Sequence, residues 1–227
     1  MTLGFIVKTP MYLVHVWLPK AHVEAPVRGS IVLAGVLLKL GRYGLLLFAP
    51  HLSRGIFYLY LRLRVWGSIL CRFICLRQTD LKGLIAYSSV VHIGVITVGV
   101  VRGLEVGYRC ALLMAVAHGI CSPILFALAA LIYNSSHSRI INNNKGSLAT
   151  PTLAFFLFLL VAVNMGVPPT ANLWAEVYMF ISFIRIITTR IFFLVVAAFV
   201  GVIYNLHIYV SLRQSKEFDG LKMEQTY

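Results

Sequence analysis

The sequence has little charge, and very little negative charge. Charged residues make up 12% of its 227 residues, against about 25% in soluble domains. Only seven residues are Asp or Glu, whereas 59% are hydrophobic. This composition excludes an ordinary soluble domain and predicts a polytopic membrane protein. At about 20 residues per span, the apolar content allows about six to eight helices.

The sequence also lacks the motifs of redox and transfer enzymes. It has no glycine-rich phosphate loop and no nucleophile elbow, and its cysteines form no CxxC pair (Cys71, Cys75, Cys110 and Cys121). We therefore predict no catalytic residue, no metal site and no site for flavin, nicotinamide or an iron–sulfur cluster. Met1 opens directly onto an apolar segment without a basic region, so we expect no secretory signal peptide.

Positive charge is the exception to this shortage. The formal net charge is +13, which in a soluble protein would favour binding to nucleic acid or to anionic lipid. Here many Lys and Arg residues fall inside or beside apolar segments. We therefore predict that these charges lie in the bundle interior and at the membrane interface, and that nucleic acid is not a partner.

Hydropathy predicts an all-α transmembrane bundle of about seven spans. A domain over residues 1–213 holds the spans, a polar linker covers 134–150, and a short polar tail covers 214–227. The predicted spans are 1–18, 26–48, 52–75, 80–101, 108–132, 151–184 and 190–212.

Two of these spans contain helix-breaking prolines. Pro10 interrupts the first span, and Pro168-Pro169 interrupts the sixth, freeing backbone carbonyls four residues earlier. Broken helices at membrane depth occur where they are buried in protein or line a wet path. Two such breaks are the pattern expected of inverted-repeat transporters.

Three ionisable residues stand out because charge in hydrocarbon costs about 3 kcal/mol or more. Lys39 lies deep in the apolar run IVLAGVLLKLG, Lys8 lies beside the break at Pro10, and Glu176 follows the double proline. The alternatives are a snorkelling lysine and a carboxylate satisfied by a neighbour. Depth and the adjacent breaks favour a role in moving ions.

Two histidines lie in adjacent predicted spans. His92 and His118 each have a serine one helical turn away, Ser88 and Ser122. A single histidine on an apolar face is more often a satisfied core residue than part of a relay. Because two occur together with hydroxyl neighbours, a proton relay and a core role remain equally open.

Several long motifs carry a family resemblance over residues 6–177. The motifs are VKTPMYLVHVWLPKAHVEAP, GSIVLAGVLLKLG, ICLRQTDLKGLIAYSSVVHIG, AHGICSPILF and PPTANLWAE. With these motifs the chain resembles the chain 4 family of NADH:ubiquinone oxidoreductase (respiratory complex I), one of three antiporter-like subunits of its membrane arm.

The resemblance implies roles for residues of this sequence. Lys8 matches the lysine of the first broken helix, and Lys39 matches the second lysine of a central hydrophilic axis. His92 and His118 match polar residues continuing that axis, and Glu176 matches the carboxylate of the second broken helix. Together they would form a lateral proton path coupled to quinone chemistry elsewhere in the complex.

The resemblance also implies a setting. We expect a multi-pass protein of the mitochondrial inner membrane whose NADH, FMN, iron–sulfur clusters and ubiquinone are bound by other parts of the complex. Expected partners are lipids and the other membrane-arm subunits, including the neighbouring antiporter-like chains. Family members have about twice as many spans, so this chain corresponds to their C-terminal half. The glutamate paired with Lys8 would then come from a separate chain carrying the N-terminal half.

Arginines are where the sequence departs from the family. Arg42 stands where the family usually has glycine, and Arg28 and Arg72 stand where small residues are common. Some mitochondrial genetic codes read AGA and AGG as serine or glycine. We therefore hypothesise that standard translation introduced arginines into the spans, including positions 42, 62 and 64, and part of the net charge with them.

Two other functions remain open. The chain is alternatively a component of a stand-alone multi-subunit cation/proton antiporter, or a scaffold subunit that moves no protons. Co-purifying partners separate the first from a respiratory subunit, and a docked chain carrying the missing spans would argue against the second.

Overall fold

The computed structural model describes residues 4, 8–10, 12, 14–48, 54–101, 105–148, 150–184 and 188–214. These residues form helices without a β-strand, as predicted. The helices are α1 (Trp17–Glu24), α2 (Val27–Val32), a π-helical segment (Leu33–Leu37), α3 (Leu38–Phe48), α4 (Arg54–Leu76), α5 (Leu81–Val101), α6 (Glu105–Ser136), a 3-10 turn (Ile141–Asn144), α7 (Pro151–Met165), α8 (Ala171–Ile184) and α9 (Thr188–Arg213).

Three described helices are long and apolar enough to cross a membrane on length and composition alone: Val27–Leu47, Glu105–Ser136 and Val195–Arg213. The 32-residue α6 is longer than the predicted 108–132. At 1.5 Å per residue it measures about 48 Å, against about 30 Å of hydrocarbon. The helix is therefore longer than the hydrocarbon is thick.

Both predicted helix breaks are present. Pro10 lies outside regular helix, between a helical residue at Lys8 and the start of α1 at Trp17. At the second break α7 ends at Met165, and α8 begins at Ala171. Most of the segment before Pro10 lies outside the described residues.

The helices pack around α5 and α6. α5 lies between α4 and α6, and α8 packs along α6. Buried apolar side chains fill the space between them, including Leu84, Phe126 and Tyr204. Large apolar side chains also point outward, such as Val116 on α6 and Phe199 on α9, each about two-thirds exposed. An apolar exterior of this kind suits lipid or partner helices.

The linker 134–150 is more ordered than its composition predicts. α6 continues to Ser136, and the segment after it pairs with the turn before α5. Leu81 N donates to Arg139 O at 3.0 Å, and Ile141 N donates to Thr79 O at 2.9 Å. The linker therefore closes one end of the bundle. The tail from residue 215 onward lies outside the described residues.

A close approach of α4 to the first break yields a stability prediction. A Cβ added at Gly67 would lie 2.5 Å from Tyr12 Cβ, so Gly67→Ala must displace this turn. We expect a loss of roughly 1–3 kcal/mol, the usual cost of overpacking. The measurement is the thermal midpoint of the purified complex carrying the variant.

Gly29→Ala is the matched control, because its added Cβ would meet nothing closer than 3.5 Å. Equal midpoints for the two variants would contradict the close packing of α4 on the first break.

Candidate functional site

Lys39 lies in the bundle interior, one residue after α3 begins. Its Nζ donates to the carbonyl oxygen of Ala34, which lies in the preceding π-helical segment. A Cβ added at Gly119 of α6 would lie 3.1 Å from Lys39 Cε. The absence of a side chain at Gly119 therefore makes room for the lysine stem beside His118.

His92 on α5 and His118 on α6 face each other across the bundle. Their ring centroids lie 4.8 Å apart, and their exposed fractions are 2% and 1%. Among described residues, neither ring nitrogen of His118 has a hydrogen-bond partner. Each imidazole has one nitrogen that accepts and one that donates a proton when neutral, so the pair is equipped for proton transfer.

The predicted serine neighbours behave differently. The Ser88 hydroxyl donates to Ile85 O within its own helix at 2.8 Å, so it is not directed at His92. The Ser122 hydroxyl is buried without a hydrogen-bond partner among the described residues. Only the serine beside His118 therefore remains available to the histidine pair.

Glu176 finds its partner on α4. Arg72 Nη2 lies 4.0 Å from Glu176 Oε1, and the two side chains are 6% and 13% exposed. Gly166, at φ +74°, brings the second helix break against the carboxylate, because its added Cβ would lie 3.5 Å from Oε2. A side chain at that φ would also be strained. The glycine therefore permits Glu176 to lie directly under the break.

These side chains lie close together. Lys39 packs against Gly119, the residue after His118, while His118 faces His92 and Arg72 faces Glu176. We call Lys39, His118, His92, Arg72 and Glu176 the polar row. The structure brings four of the five predicted residues into it and adds Arg72.

Lys8, the fifth predicted residue, lies outside the polar row. Its side chain is exposed, and its Cβ lies against α3, 3.4 Å from the position of a Cβ at Gly41. The break beside it is held instead by Arg64 of α4. The Arg64 guanidinium donates to Pro10 O and Thr9 O at 2.6 Å each, and to Thr9 Oγ1 at 2.7 Å.

Asparagines hold the second break. Asn172 Nδ2 donates to Val163 O at 2.7 Å, near the end of α7. Asn164 Nδ2 donates to Asn205 Oδ1 at 2.9 Å, and Asn205 Nδ2 donates to Gly201 O at 2.9 Å. These bonds connect the end of α7 to α9 beside the second break.

The chain matches a known family over most of its length. Residues 1–203 match the family described as NADH:quinone oxidoreductase/Mrp antiporter, TM. The chain belongs to this family. The resemblance expected from the sequence is confirmed.

Three animal relatives illustrate the similarity. The chain is 43%, 41% and 42% identical to NADH-ubiquinone oxidoreductase chain 4 of Mytilus edulis, Lumbricus terrestris and Aedes aegypti. The alignments cover 94%, 92% and 97% of this chain, but 50%, 47% and 50% of the relatives. The chain therefore spans about half the length of the curated relatives it matches.

Solved structures share the fold. A chain of respiratory complex I from Thermus thermophilus with bound NADH superposes with TM-score 0.85 at 24% identity, over 97% of this chain and 48% of that one. A chain of the archaeal membrane-bound sulfane sulfur reductase gives TM-score 0.86 at 18% identity, over 96% and 48%. At these identities the likeness establishes the antiporter-like helical fold.

The site contains residues that sequence reasoning did not assign. Arg64 and Arg72 were noted as misplaced arginines, and Asn164, Asn172 and Asn205 were not considered as site residues. A usable signal existed, because any buried polar group in an apolar span must find a partner. Pro123 was also missed. It lies inside α6 and removes the hydrogen bond to Gly119 O, beside Lys39.

Arg42 differs from the other two buried arginines. It is 1% exposed, and none of its three guanidinium nitrogens has a hydrogen-bond partner among the described residues. An uncompensated buried charge costs several kcal/mol. Arg64 and Arg72 do have polar partners, because Arg64 donates to Thr9 and Pro10 and Arg72 faces Glu176. The side chain of Arg62 lies outside the described residues.

The unpaired guanidinium of Arg42 supports the hypothesis that arginine at this position comes from translation with the standard genetic code. We expect glycine or serine at position 42 in the protein isolated from mitochondria, because either residue removes the unpaired charge. Peptide mass spectrometry across residues 40–45 measures this directly. An arginine mass at position 42 would contradict the hypothesis at this position.

Proposed function

We propose that this chain is a core membrane-arm subunit of the proton-translocating NADH:ubiquinone oxidoreductase, and that the polar row is its proton path. The names of the animal relatives and the family support the assignment to the complex. The observation that carries the proton path is the buried His92–His118 pair, 4.8 Å between ring centroids, placed between Lys39 and Glu176.

The polar row combines an amine, two imidazoles, a guanidinium and a carboxylate. Lys39 and Glu176 each hold or release one proton, and the two neutral imidazoles between them accept at one nitrogen and donate at the other. Transfer between neighbours requires hydrogen-bond reach, directly or through one water. The Arg72 guanidinium lies within ion-pair distance of Glu176, at 4.0 Å from Oε1.

The redox cofactors and the quinone lie in other subunits of the proposed complex. In this account NADH, FMN, iron–sulfur clusters and ubiquinone are bound by other subunits, and the chain responds to their chemistry through charge. Its partners are the other membrane-arm subunits of the mitochondrial inner membrane.

Substitutions at the two ends of the polar row test the path. In purified complex reconstituted into liposomes, we expect Lys39→Met and Glu176→Gln each to lower NADH-driven proton uptake by roughly tenfold or more, because each removes a group that carries the proton. A pH-sensitive dye inside the liposomes gives the rate, normalised to the amount of assembled complex.

Glu105→Gln is the control, since Glu105 forms an exposed ion pair with Arg109 at 2.6 Å, away from the polar row. Normal proton uptake in both Lys39→Met and Glu176→Gln would remove the polar row from the path.

A scaffold role is the second candidate, favoured by the exposure of Lys8 apart from the polar row. A scaffold would lose assembly in variants that disturb packing, but would keep proton uptake per assembled complex when Lys39 or Glu176 is neutralised. The same liposome measurement therefore separates the two functions.

A further inference from the structure

A cavity of about 300 Å³ opens at one end of the bundle, away from the polar row. Its walls come from the segment joining α1 to α2, the start of α5, the end of α6 and the residues just after α6. Its volume is at the lower end of ligand sites, which span roughly 300–1,000 Å³.

Two cationic side chains line this cavity. Lys82 Nζ donates to Ala25 O at 2.9 Å, and Arg139 Nη1 donates to Val23 O at 3.1 Å. These bonds hold both groups beside the end of α1. An ammonium has three N–H donors and a guanidinium five, so each retains donors beyond its carbonyl bond. Glu24 also lines the cavity, which leaves one net positive charge.

The remaining wall is apolar. Leu81, Ala129 and Ile132 line the cavity and are buried. Tyr133 stands at its edge, with the Arg139 guanidinium 5.5 Å from its ring centroid. The C-terminal turns of α6 continue into the polar sequence NSSHSR, and tyrosine is enriched at the headgroup level of membranes.

We propose that this cavity binds the phosphate headgroup of an anionic phospholipid. Lys82 and Arg139 contact the phosphate, and one acyl chain lies against Leu81, Ala129 and Ile132. Cationic pockets between membrane helices suit such headgroups, because the charge attracts the phosphodiester and the apolar wall accepts the chain. The site assigns Lys82 and Arg139 a role that is separate from the polar row.

The test uses the intact complex in nanodiscs of phosphatidylcholine containing a trace of photoactivatable phosphatidylglycerol. After illumination, mass spectrometry locates lipid adducts on peptides of the chain. We expect adducts between residues 129 and 139. Unlabelled phosphatidylglycerol should remove them, whereas phosphatidylcholine and phosphatidylethanolamine at equal concentration should not.

The variant Lys82→Gln/Arg139→Gln keeps side-chain length but removes both charges. We expect adduct formation to fall by roughly tenfold or more. Lys20→Gln is one control, because Lys20 is an exposed cation of α1 that does not line the cavity. Arg213→Gln is the other, because Arg213 also lies over a tyrosine, with its guanidinium 6.0 Å from the Tyr209 ring.

Three results would overturn the lipid site: no adduct between residues 129 and 139, equal competition by phosphatidylcholine or phosphatidylethanolamine, or unchanged adducts in an assembled double variant. The competition experiment uses the unaltered protein, so a variant that fails to assemble does not decide the outcome. Proton uptake is not the readout, so failure of the lipid site and failure of the proton path are distinguishable.

Discussion

Polar groups inside this bundle must find their partners within the protein, because hydrocarbon offers no hydrogen bonds. That requirement explains which helices are tied together. Arg72 of α4 reaches Glu176 of α8, and Asn164 of α7 reaches Asn205 of α9. Each contact joins helices distant in sequence. The same contacts that satisfy polar groups therefore fix the positions of the helices around the polar row.

The two helix breaks are stabilised in different ways. At the first break the buried guanidinium of Arg64 donates hydrogen bonds to the carbonyl oxygens of Thr9 and Pro10, and a guanidinium does not release its proton at neutral pH. At the second, the neutral amide of Asn172 binds Val163 O. The first break is therefore held by a cationic side chain and the second by a neutral one.

Sequence reasoning predicted the helices and both breaks because apolar run lengths and prolines act locally. It also singled out Lys39 and Glu176, because the cost of burying charge depends mainly on depth in a span. The sequence could not predict which polar side chains contact each other. The Arg72–Glu176 contact depends on how α4 crosses α8, and the direction of the Ser88 hydroxyl depends on a choice between its own helix and His92. The sequence also could not predict that Gly119 leaves room for the Lys39 side chain, because that depends on how α3 packs against α6.

The central claim is that the polar row is continuous for protons, and it is tested most directly by a density map of the assembled complex that resolves water. The account predicts ordered waters linking Lys39 to His118 and His92 to Glu176. Apolar side chains filling both gaps, with no water between the polar groups, would contradict it.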